Sequence, residues 1–275
     1  RLLPDGECSL LLATSLSNLA GLIMIQGQHK DAESLYSESI AIRTSIVGED
    51  HLDVTDSLEG LAQLLTTQNK PDEAKRLFER SLKIREKYLG PDHPDIATSL
   101  NSKAKLLKSV HEFEGAKPLY ERSLEIRQKC LGADHPDVAT SLDDLGVLLK
   151  TLGRVGDAED KHRRALKIRE KSLGEDHLEV AKSLNNLAVL LATRGRHDEA
   201  EQMLRRSLKI REVYFGEEHP LIVHALDNLF ILLKVQGKYD EAREFLVRAK
   251  DIAEANPTVS TAVCEETLGV TIVRH

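Results

Sequence analysis

A constant period of 42 residues runs through the sequence and constrains its fold more than any other feature. Five histidines each follow a glycine by three residues, and leucine, alanine and arginine series keep the same interval without an insertion. A fixed period of roughly 20 to 50 residues indicates a repeat protein whose units contact mainly their neighbours. The series are His51, His93, His135, His177 and His219; Leu16, Leu58, Leu100, Leu142, Leu184 and Leu226; Ala32, Ala74, Ala116, Ala158, Ala200 and Ala242; and Arg43, Arg85, Arg127, Arg169 and Arg211.

Each repeat reads as a pair of helices. From Leu178 onward, apolar residues recur every three or four positions, which is the spacing of one helical face. Gly195 is expected to end this first helix, since glycine readily adopts the positive φ that follows a helix C-terminus. The second helix carries apolar residues from Ala200 and stops near Gly216. At the joints, a proline such as Pro94 can occupy the first helical position, where its missing N–H costs nothing.

The repeats predict an all-α protein, namely a single array of tandem helix-turn-helix units, or α-solenoid. Because the recurring joint fixes the angle between successive units, the array is expected to form a superhelix. The chain starts at Arg1, and Gly6 lies 42 residues before Gly48, so we expect a further repeat upstream. The predicted units span residues 10–47, 52–89, 94–131, 136–173, 178–215 and 220–255, with 258–275 as a tail or a partial capping helix.

Composition excludes several classes of function. The formal net charge of −7 provides no basic field to attract nucleic acid. Cys8, Cys130 and Cys264 are far apart and form no Cys-x-x-Cys pair, so neither a disulfide framework nor a zinc site is predicted. A reducing, cytoplasmic location fits this cysteine usage best. Residues 10–25 are apolar but carry interrupting polar residues in the repeat register, so we expect a core helix rather than membrane insertion.

The sequence carries no signature of catalysis. It contains no Gly-x-Gly-x-x-Gly, no Gly-Lys-Ser/Thr loop, no His-Glu-x-x-His and no Gly-x-Ser-x-Gly. The five joint histidines cannot share a metal ion, because successive helical layers lie about 10 Å apart whereas a ligand atom lies about 2 Å from its ion. We therefore predict no enzyme activity, no cofactor and no metal site, and expect these histidines to close the joints through hydrogen bonds.

Three motifs carry a family resemblance. Ser-Leu-Asn-Asn-Leu-Ala-x-Leu-Leu at 183–191, Gly-Arg-x-Asp-Glu-Ala at 195–200 and Ser-Leu-Lys-Ile-Arg-Glu at 207–212 resemble the tetratricopeptide repeat. The 42-residue variant with its Leu-Gly-x-x-His-Pro joint is similar to kinesin light chain, and equally to the repeats of nephrocystin and of many bacterial signalling proteins. The resemblance covers about residues 10–255 and implies a right-handed superhelix.

The resemblance also implies a function and a site. In this family the first helices line a concave groove that holds a segment of a partner protein, and in kinesin light chain that segment is a cargo peptide with acidic residues flanking an aromatic one. Carried over to this sequence, the groove residues are Asn18, Asn101, Lys105, Lys108, Lys150, Lys182, Asn185, Asn186, His224, Asn228 and Lys234.

The chemistry of these residue types suits a peptide. Asparagine amides donate to and accept from a peptide backbone whatever its sequence, and lysines attract carboxylates. Because Glu59, Asp143 and Asp144 interrupt the basic positions, a purely acidic ligand is not implied. We expect a segment whose acidic residues meet Lys105, Lys182 and their neighbours.

Charged residues on and under the helices carry two further expectations. The arginine series is predicted to form a salt-bridge ladder between repeats rather than an anion site, with Glu86, Glu170 and Glu212 as its nearest acids in sequence. Lys103 occupies a position that is apolar in the other repeats, so either its stem packs while its ammonium reaches outward, or this repeat is locally loose. His162 marks a similar weak point in the fourth repeat.

The sequence thus predicts an adaptor or scaffold that binds a partner protein, with no nucleic acid partner. Two alternatives stay open at this level. The array could be the regulatory arm of a multidomain signalling protein, contacting its own chain. It could also associate weakly with itself, since an uncapped array exposes apolar surface.

Overall fold

A computed structural model describes residues 5–256, and within that range the backbone is almost entirely α-helical, with no strand. The helices alternate between a first and a second member of each pair, as the sequence predicts. The first helices are α1 (Asp5–Ile25), α3 (Thr55–Thr67), α5 (Pro94–Ser109), α7 (Pro136–Thr151), α9 (Leu178–Thr193) and α11 (Val223–Val235). The second helices are α2 (His29–Val47), α4 (Pro71–Leu89), α6 (Phe113–Leu131), α8 (Val155–Leu173), α10 (His197–Phe215) and α12 (Tyr239–Ala255). Short 3-10 helices at Leu52–Val54 and Pro220–Ile222 precede α3 and α11.

The chain divides into two compact units, residues 1–133 and 134–275. In the first unit, α1 to α6 pack in sequence order, each first helix lying against the second helix of its own pair and each second helix against the next first helix. Helices α7 to α12 pack in the same manner in the second unit. That all six pairs form one continuous array stays a prediction. The predicted capping segment, 258–275, lies outside the described residues.

The joints contain the hydrogen bonds expected of the histidine series. The Nδ1 atom of His135 accepts a hydrogen bond from the backbone N–H of Asp137 at 3.1 Å, and His177 does the same for Glu179 at 3.1 Å. His51, His93 and His219 make the equivalent bond at 3.2 to 3.3 Å. Each imidazole thereby satisfies one of the backbone donors that a helix N-terminus leaves unpaired. No group of residues in the described chain could hold a metal ion.

Buried alanines and large side chains recur together in the core formed by the second helices. Ala32, Ala74 and Ala158 of the alanine series are completely buried. Four residues after the alanine, the second helix carries a large core side chain such as Tyr36 or Phe78, which are 5% and 2% exposed. Burying a side chain of this size contributes roughly 1.5 to 3 kcal/mol each. The buried alanine and the large side chain four residues later therefore recur together every 42 residues.

The fourth repeat places His162 in this core position, and the structure shows how the polar ring is accommodated. His162 is 1% exposed, and its Nδ1 atom lies 2.7 Å from Oδ1 of Asp143. Gly146 makes room for the ring, because a Cβ atom there would lie 2.8 Å from the imidazole Nε2. The expected weak point is thus a buried, hydrogen-bonded site. Lys103 follows the first of its two predicted outcomes, with its ammonium 3.0 Å from a carboxylate oxygen of Glu79.

Helix α1 is packed on one side only. Its Ser17 hydroxyl lies 2.8 Å from Ser39 and 2.7 Å from Ser57, so it sits in its repeat like the other first helices. Its other side is apolar and open: Leu22 is 61% exposed, whereas Leu64, at the same position one repeat later, is fully buried. Over Cys8–Ile25 it is the one described helix long and apolar enough to cross a membrane by length and composition, and 11% of that stretch is buried. The helix predicted to belong to the core is therefore only partly covered.

We expect the glycine that ends α9 to be required by its backbone conformation. Gly195 has a φ of 74°, and no atom lies near the place where a Cβ would be added. Gly195→Ala should therefore lower the free energy of unfolding by about 1 kcal/mol, through the left-handed conformation alone.

Gly156→Ala provides the matched control, because Gly156 lies within α8 and also has open space around it. There alanine favours the helix, so stability should rise by about 0.5 to 1 kcal/mol. Urea unfolding of both variants measures the two effects. Equal shifts in the same direction would contradict this account.

Candidate peptide-binding face

The predicted groove residues lie on one stripe of each first helix, which we call the first-helix face. In α9 the stripe contains Lys182, Asn185 and Asn186, which are three or four residues apart or adjacent and so share one side of the helix. The other predicted residues lie on α1 (Asn18), α5 (Asn101, Lys105 and Lys108), α7 (Lys150) and α11 (His224, Asn228 and Lys234). Each of the two units therefore has such a face of its own.

Burial separates these residues into three groups. Asn18, Lys105, Lys182 and Lys234 are exposed. Lys108, Lys150, Asn185, Asn186 and His224 are partly buried. Asn101 and Asn228 are only 5% and 7% exposed, so their side chains lie at the base of the face rather than on it.

The structure brings two of the predicted residues into direct contact. The Nδ2 atom of Asn228 on α11 donates a hydrogen bond to Oδ1 of Asn185 on α9 at 2.7 Å. An amide has two N–H donors and an oxygen with two lone pairs, so this bond leaves further capacity on both side chains. Asn186 occupies in α9 the position that Asn228 occupies in α11, 42 residues later. The first-helix face of the second unit thus has neighbouring amides from two successive helices.

Beneath the face, a buried arginine of the second helix contacts two successive first helices. Arg85 is 6% exposed and lies 3.0 Å from Oε1 of Glu59 on α3, and it donates to Ser99 on α5 at 2.6 Å. Burial raises the pKa of the Glu59 carboxyl, although Arg85 and the Ser99 and Ser81 hydroxyls oppose that shift. In the second unit, Arg169 hydrogen-bonds in the same way to Asp143 and to Ser183.

The predicted acidic partners of the arginine series were wrong. Glu86, Glu170 and Glu212 instead pair with a different set of arginines on the second helix of the next repeat, namely Arg122, Arg206 and Arg248, at 2.8, 2.6 and 2.5 Å. The reason is helical geometry: adjacent residues point about 100° apart, so an acid next to a buried arginine faces away from it.

Other surface charges between second helices are matched as well. Glu159 is 7% exposed and binds Arg163 at 2.8 Å and Arg196 at 2.7 Å, with a third contact to Arg194. Burial alone would raise the pKa of Glu159, but the hydrogen bonds and charges of Arg163 and Arg196 outweigh it and hold that pKa below its ordinary value. Glu201 is shared between Arg205 at 2.9 Å and Lys238 at 2.7 Å.

Two partly buried cations of the second unit have no acidic partner among the described residues, namely Lys150 on the first helix α7 and Arg211 on α10, between α9 and α11. Arg211 makes no hydrogen bond or ion pair with the described residues, and its Nε atom is buried. Burial lowers its pKa, which the charge of Glu179 opposes. Lys150 likewise has no ion pair within residues 5–256, and burial lowers the pKa of its ammonium. Both cations have therefore lost part of their hydration without gaining an ion pair.

His224 is also partly buried and lies near the positive charge of Arg211. Its Nδ1 atom is buried and has no hydrogen-bond partner. Burial, followed by the positive charge of Arg211, lowers the pKa of His224, and Asp227 opposes the shift. The ring is consequently neutral near pH 7, and its nitrogens can exchange hydrogen bonds with a ligand.

Sequence reasoning placed Arg211 in a salt-bridge ladder and missed that it has no acidic partner among the described residues. A signal was present in the sequence. Asp143 and Ser183, the partners of Arg169, are replaced by Asn185 and Ala225 at the interval of 42 residues.

A family model describing the tetratricopeptide repeat matches the chain in five overlapping segments, residues 11–87, 71–129, 95–171, 151–212 and 179–255. The chain belongs to the tetratricopeptide repeat family. Its tandem helix pairs are those of an α-solenoid, and such repeats are typically non-catalytic interaction scaffolds. No protein with a curated description matches the chain in sequence.

Solved structures with the same fold include kinesin light chain-like repeats. The kinesin light chain nearly identical TPR-like repeats of Podosopora anserina are 25% identical over 75% of this chain and 98% of that one, with a TM-score of 0.65. BtubC (BKLC) from P. vanneervenii is 23% identical over 92% of both chains, with a TM-score of 0.68. A Rap protein complexed with Competence and Sporulation Factor is 15% identical over 92% of this chain and 78% of that one, with a TM-score of 0.61.

The environment of His224 predicts how stability depends on pH. Its pKa in the folded protein lies below the ordinary value of 6.5, so the unfolded chain binds a proton first as the pH falls. Stability should therefore be lost as the pH drops from about 6.5 towards the lower folded pKa. In His224→Gln this contribution is absent, so the variant should lose less stability between pH 7.5 and 5.5 than the parent protein. Urea unfolding at both pH values measures the difference, and a steeper loss in the variant would refute the assignment.

Proposed function

We propose that the chain binds a segment of a partner protein along the first-helix face and that acidic residues of this segment meet its cations. The observation that carries the proposal is the contrast in charge pairing within the second unit. Partly buried arginines between second helices, such as Arg206 with Glu170, have acidic partners, whereas Arg211 and Lys150, which are partly buried beside the first helices, have none among the described residues.

The energetics favour an acidic ligand at such a place. A partly buried cation without a partner has lost part of its hydration and has no interaction with an opposite charge to replace it. A carboxylate brought by a ligand restores that interaction through charge-assisted hydrogen bonds, which are about twice as strong as neutral ones. The amides of Asn185 and Asn186 add contacts to a peptide backbone of any sequence.

The face is not uniformly positive. Asp144 on α7 and Asp227 on α11 belong to the same stripe as the amides. We therefore propose a segment of mixed character whose acidic residues meet particular cations. An adaptor role like that of the cargo-binding domain of kinesin light chain is part of this proposal, as is the cytoplasmic location that the cysteine usage suggests. The Rap protein crystallised with Competence and Sporulation Factor gives a precedent within the same fold.

Binding of labelled peptides tests the proposal. An acidic peptide with a central aromatic residue should bind saturably in fluorescence anisotropy, more tightly than a basic peptide and less tightly at high salt. Lys182→Glu reverses a charge on the face and should weaken binding roughly tenfold, which corresponds to about 1.4 kcal/mol. Asn186→Ala should weaken it as well.

Lys209→Glu is the matched control, since Lys209 is exposed on the second helix α10 and the change in net charge is the same. It should leave the affinity close to that of the parent protein. Equal losses in both charge variants, or equal binding of acidic and basic peptides, would refute a ligand on the first-helix face. Absence of binding by every peptide would favour the alternative of a regulatory arm that contacts its own chain.

The open side of α1 favours a second candidate function, weak self-association. Leu12 is 52% exposed, whereas its counterparts in the later repeats, including Val54 and Ile96, are fully buried. Ile40 and Leu82 on the preceding second helices contribute to covering those counterparts. At the position of Ile40 and Leu82 in the repeat, α12 has Lys250. This charge disfavours packing of α12 from one copy against α1 of another. For this chain of 275 residues, we propose that α1 of a second copy covers this side, where the expected upstream repeat would otherwise pack.

Sedimentation equilibrium at several protein concentrations tests self-association. The parent chain should show a dimer that dissociates on dilution, and Leu22→Lys should remain monomeric because a charge in the contact is costly to desolvate. Leu221→Lys changes a 53% exposed leucine elsewhere and should dimerise like the parent. A parent chain that is monomeric at the highest concentration would exclude this candidate.

A further inference from the structure

Two arginines of the 42-residue series occupy equivalent positions in the second unit but have different surroundings. The guanidinium of Arg169 on α8 hydrogen-bonds to Asp143 and Ser183, and it lies 3.3 Å from the hydroxyl of Thr140. Only 4% of Arg169 is exposed. Arg211 on α10 stands 42 residues later, between α9 and α11.

Each partner of Arg169 is replaced at the corresponding position around Arg211. Asp143 becomes Asn185, Ser183 becomes Ala225 and Thr140 becomes Lys182. Alanine offers no acceptor, and lysine brings a further positive charge. The Oδ1 atom of Asn185 already accepts a hydrogen bond from Asn228. Arg211 has thus lost the carboxylate and both hydroxyls that its counterpart uses.

The charged groups around Arg211 do not compensate for this loss. Glu179 on α9 is the acid that acts on it, but the same carboxylate lies 2.8 Å from the ammonium of Lys182 and 3.7 Å from Arg169. On the α11 side, His224 has an unpartnered, buried Nδ1 atom, and Asp227 acts on that imidazole. The buried Nε of Arg211 has no acceptor. One carboxylate therefore serves several cations, and the guanidinium is left unsatisfied.

We propose that Arg211 is an anion site that receives a carboxylate of the bound segment, at the place that Asp143 takes against Arg169. The inference rests on the proposed function, because the carboxylate belongs to an aspartate or glutamate of the partner segment. The repeat one step earlier shows that a carboxylate fits this position of the fold. A planar carboxylate also matches the donor fork of a guanidinium, which can give two parallel hydrogen bonds.

One substitution should close the site without removing the arginine. Asn185→Asp restores, from within the chain, the carboxylate that Asp143 supplies in the preceding repeat. Its Oδ1 can still accept the hydrogen bond from Asn228, so the fold is kept. Because it pairs a partly buried cation, Asn185→Asp should be at least as stable as the parent protein, and this stability distinguishes a site closed by the new carboxylate from a site lost through misfolding.

The experiment follows the Nε–H signals of arginine by NMR in protein labelled with 15N-arginine. Arg211→Gln identifies the Arg211 signal by its loss. Sodium acetate should shift that signal saturably, beyond the shift given by sodium chloride at equal ionic strength, and the Arg169 signal should not move. Asn185→Asp should weaken the acetate effect at least tenfold. Gln202→Glu adds the same charge on the exposed surface of α10 and should leave the effect unchanged.

The acidic peptide of the anisotropy assay is then titrated in place of acetate. A shift of the Arg211 signal that saturates with the same affinity supports the assignment. A peptide that binds without moving this signal overturns the anion site and leaves the proposed function standing. Acetate that acts on Arg211 while no peptide binds supports the site and contradicts the proposed function. Three results would overturn a carboxylate site: acetate and chloride shift the Arg211 signal equally, Asn185→Asp responds to acetate like the parent protein, or inorganic phosphate shifts the signal more strongly than acetate does.

Discussion

A buried guanidinium between successive first helices is the interaction on which much of this architecture depends. In the first unit Arg85 brings together the carboxylate of Glu59 and the hydroxyl of Ser99, which belong to neighbouring helix pairs. Burying an arginine is unfavourable unless its donors are satisfied, so the first helices must present acceptors at fixed positions. Within each unit such an arginine thus links one helix pair to the next, as Arg169 does from the fourth pair to the fifth.

The same interaction accounts for where charge remains available to a ligand. Where the first helix supplies an acid, as Asp143 does, the arginine pairs with that acid inside the protein. Beside Asn185, which supplies an amide instead, Arg211 has no acidic partner among the described residues. If Arg211 receives a ligand as proposed, a structural contact and a binding site are two outcomes at one repeated position. Natural proteins commonly accept locally unfavourable arrangements of this kind where they are functional.

The sequence was sufficient to predict the helix pairs, the joints and the family. These features depend on local signals, such as apolar spacing, glycine at helix ends and side chains that cap a helix start. The same signals recur in every repeat. The histidine caps are an example, since His135 acts only on a backbone group two residues away.

Contacts between helices were predicted less well, because they depend on which side of a helix a residue faces. Glu170 follows Arg169 in sequence, yet it pairs with Arg206 in the next repeat. The buried pairing of His162 with Asp143 could not be read from either residue alone, and it required the space left by Gly146. Which residues of the first-helix face contact a partner stays a prediction, because binding depends on a second molecule whose sequence is unknown.

The accommodation of His162 bears on how freely the repeats could be exchanged during evolution. Gly146, His162 and Asp143 all belong to the fourth helix pair, so this polar core is inherited as one block. The bond from Arg169 to Ser183, in contrast, crosses into the fifth pair. A duplication that copied the fourth pair over the fifth would carry the histidine core intact and would deliver an internal carboxylate beside the new arginine. Such a duplication would therefore close the site proposed at Arg211, and a point substitution would be needed to open it again.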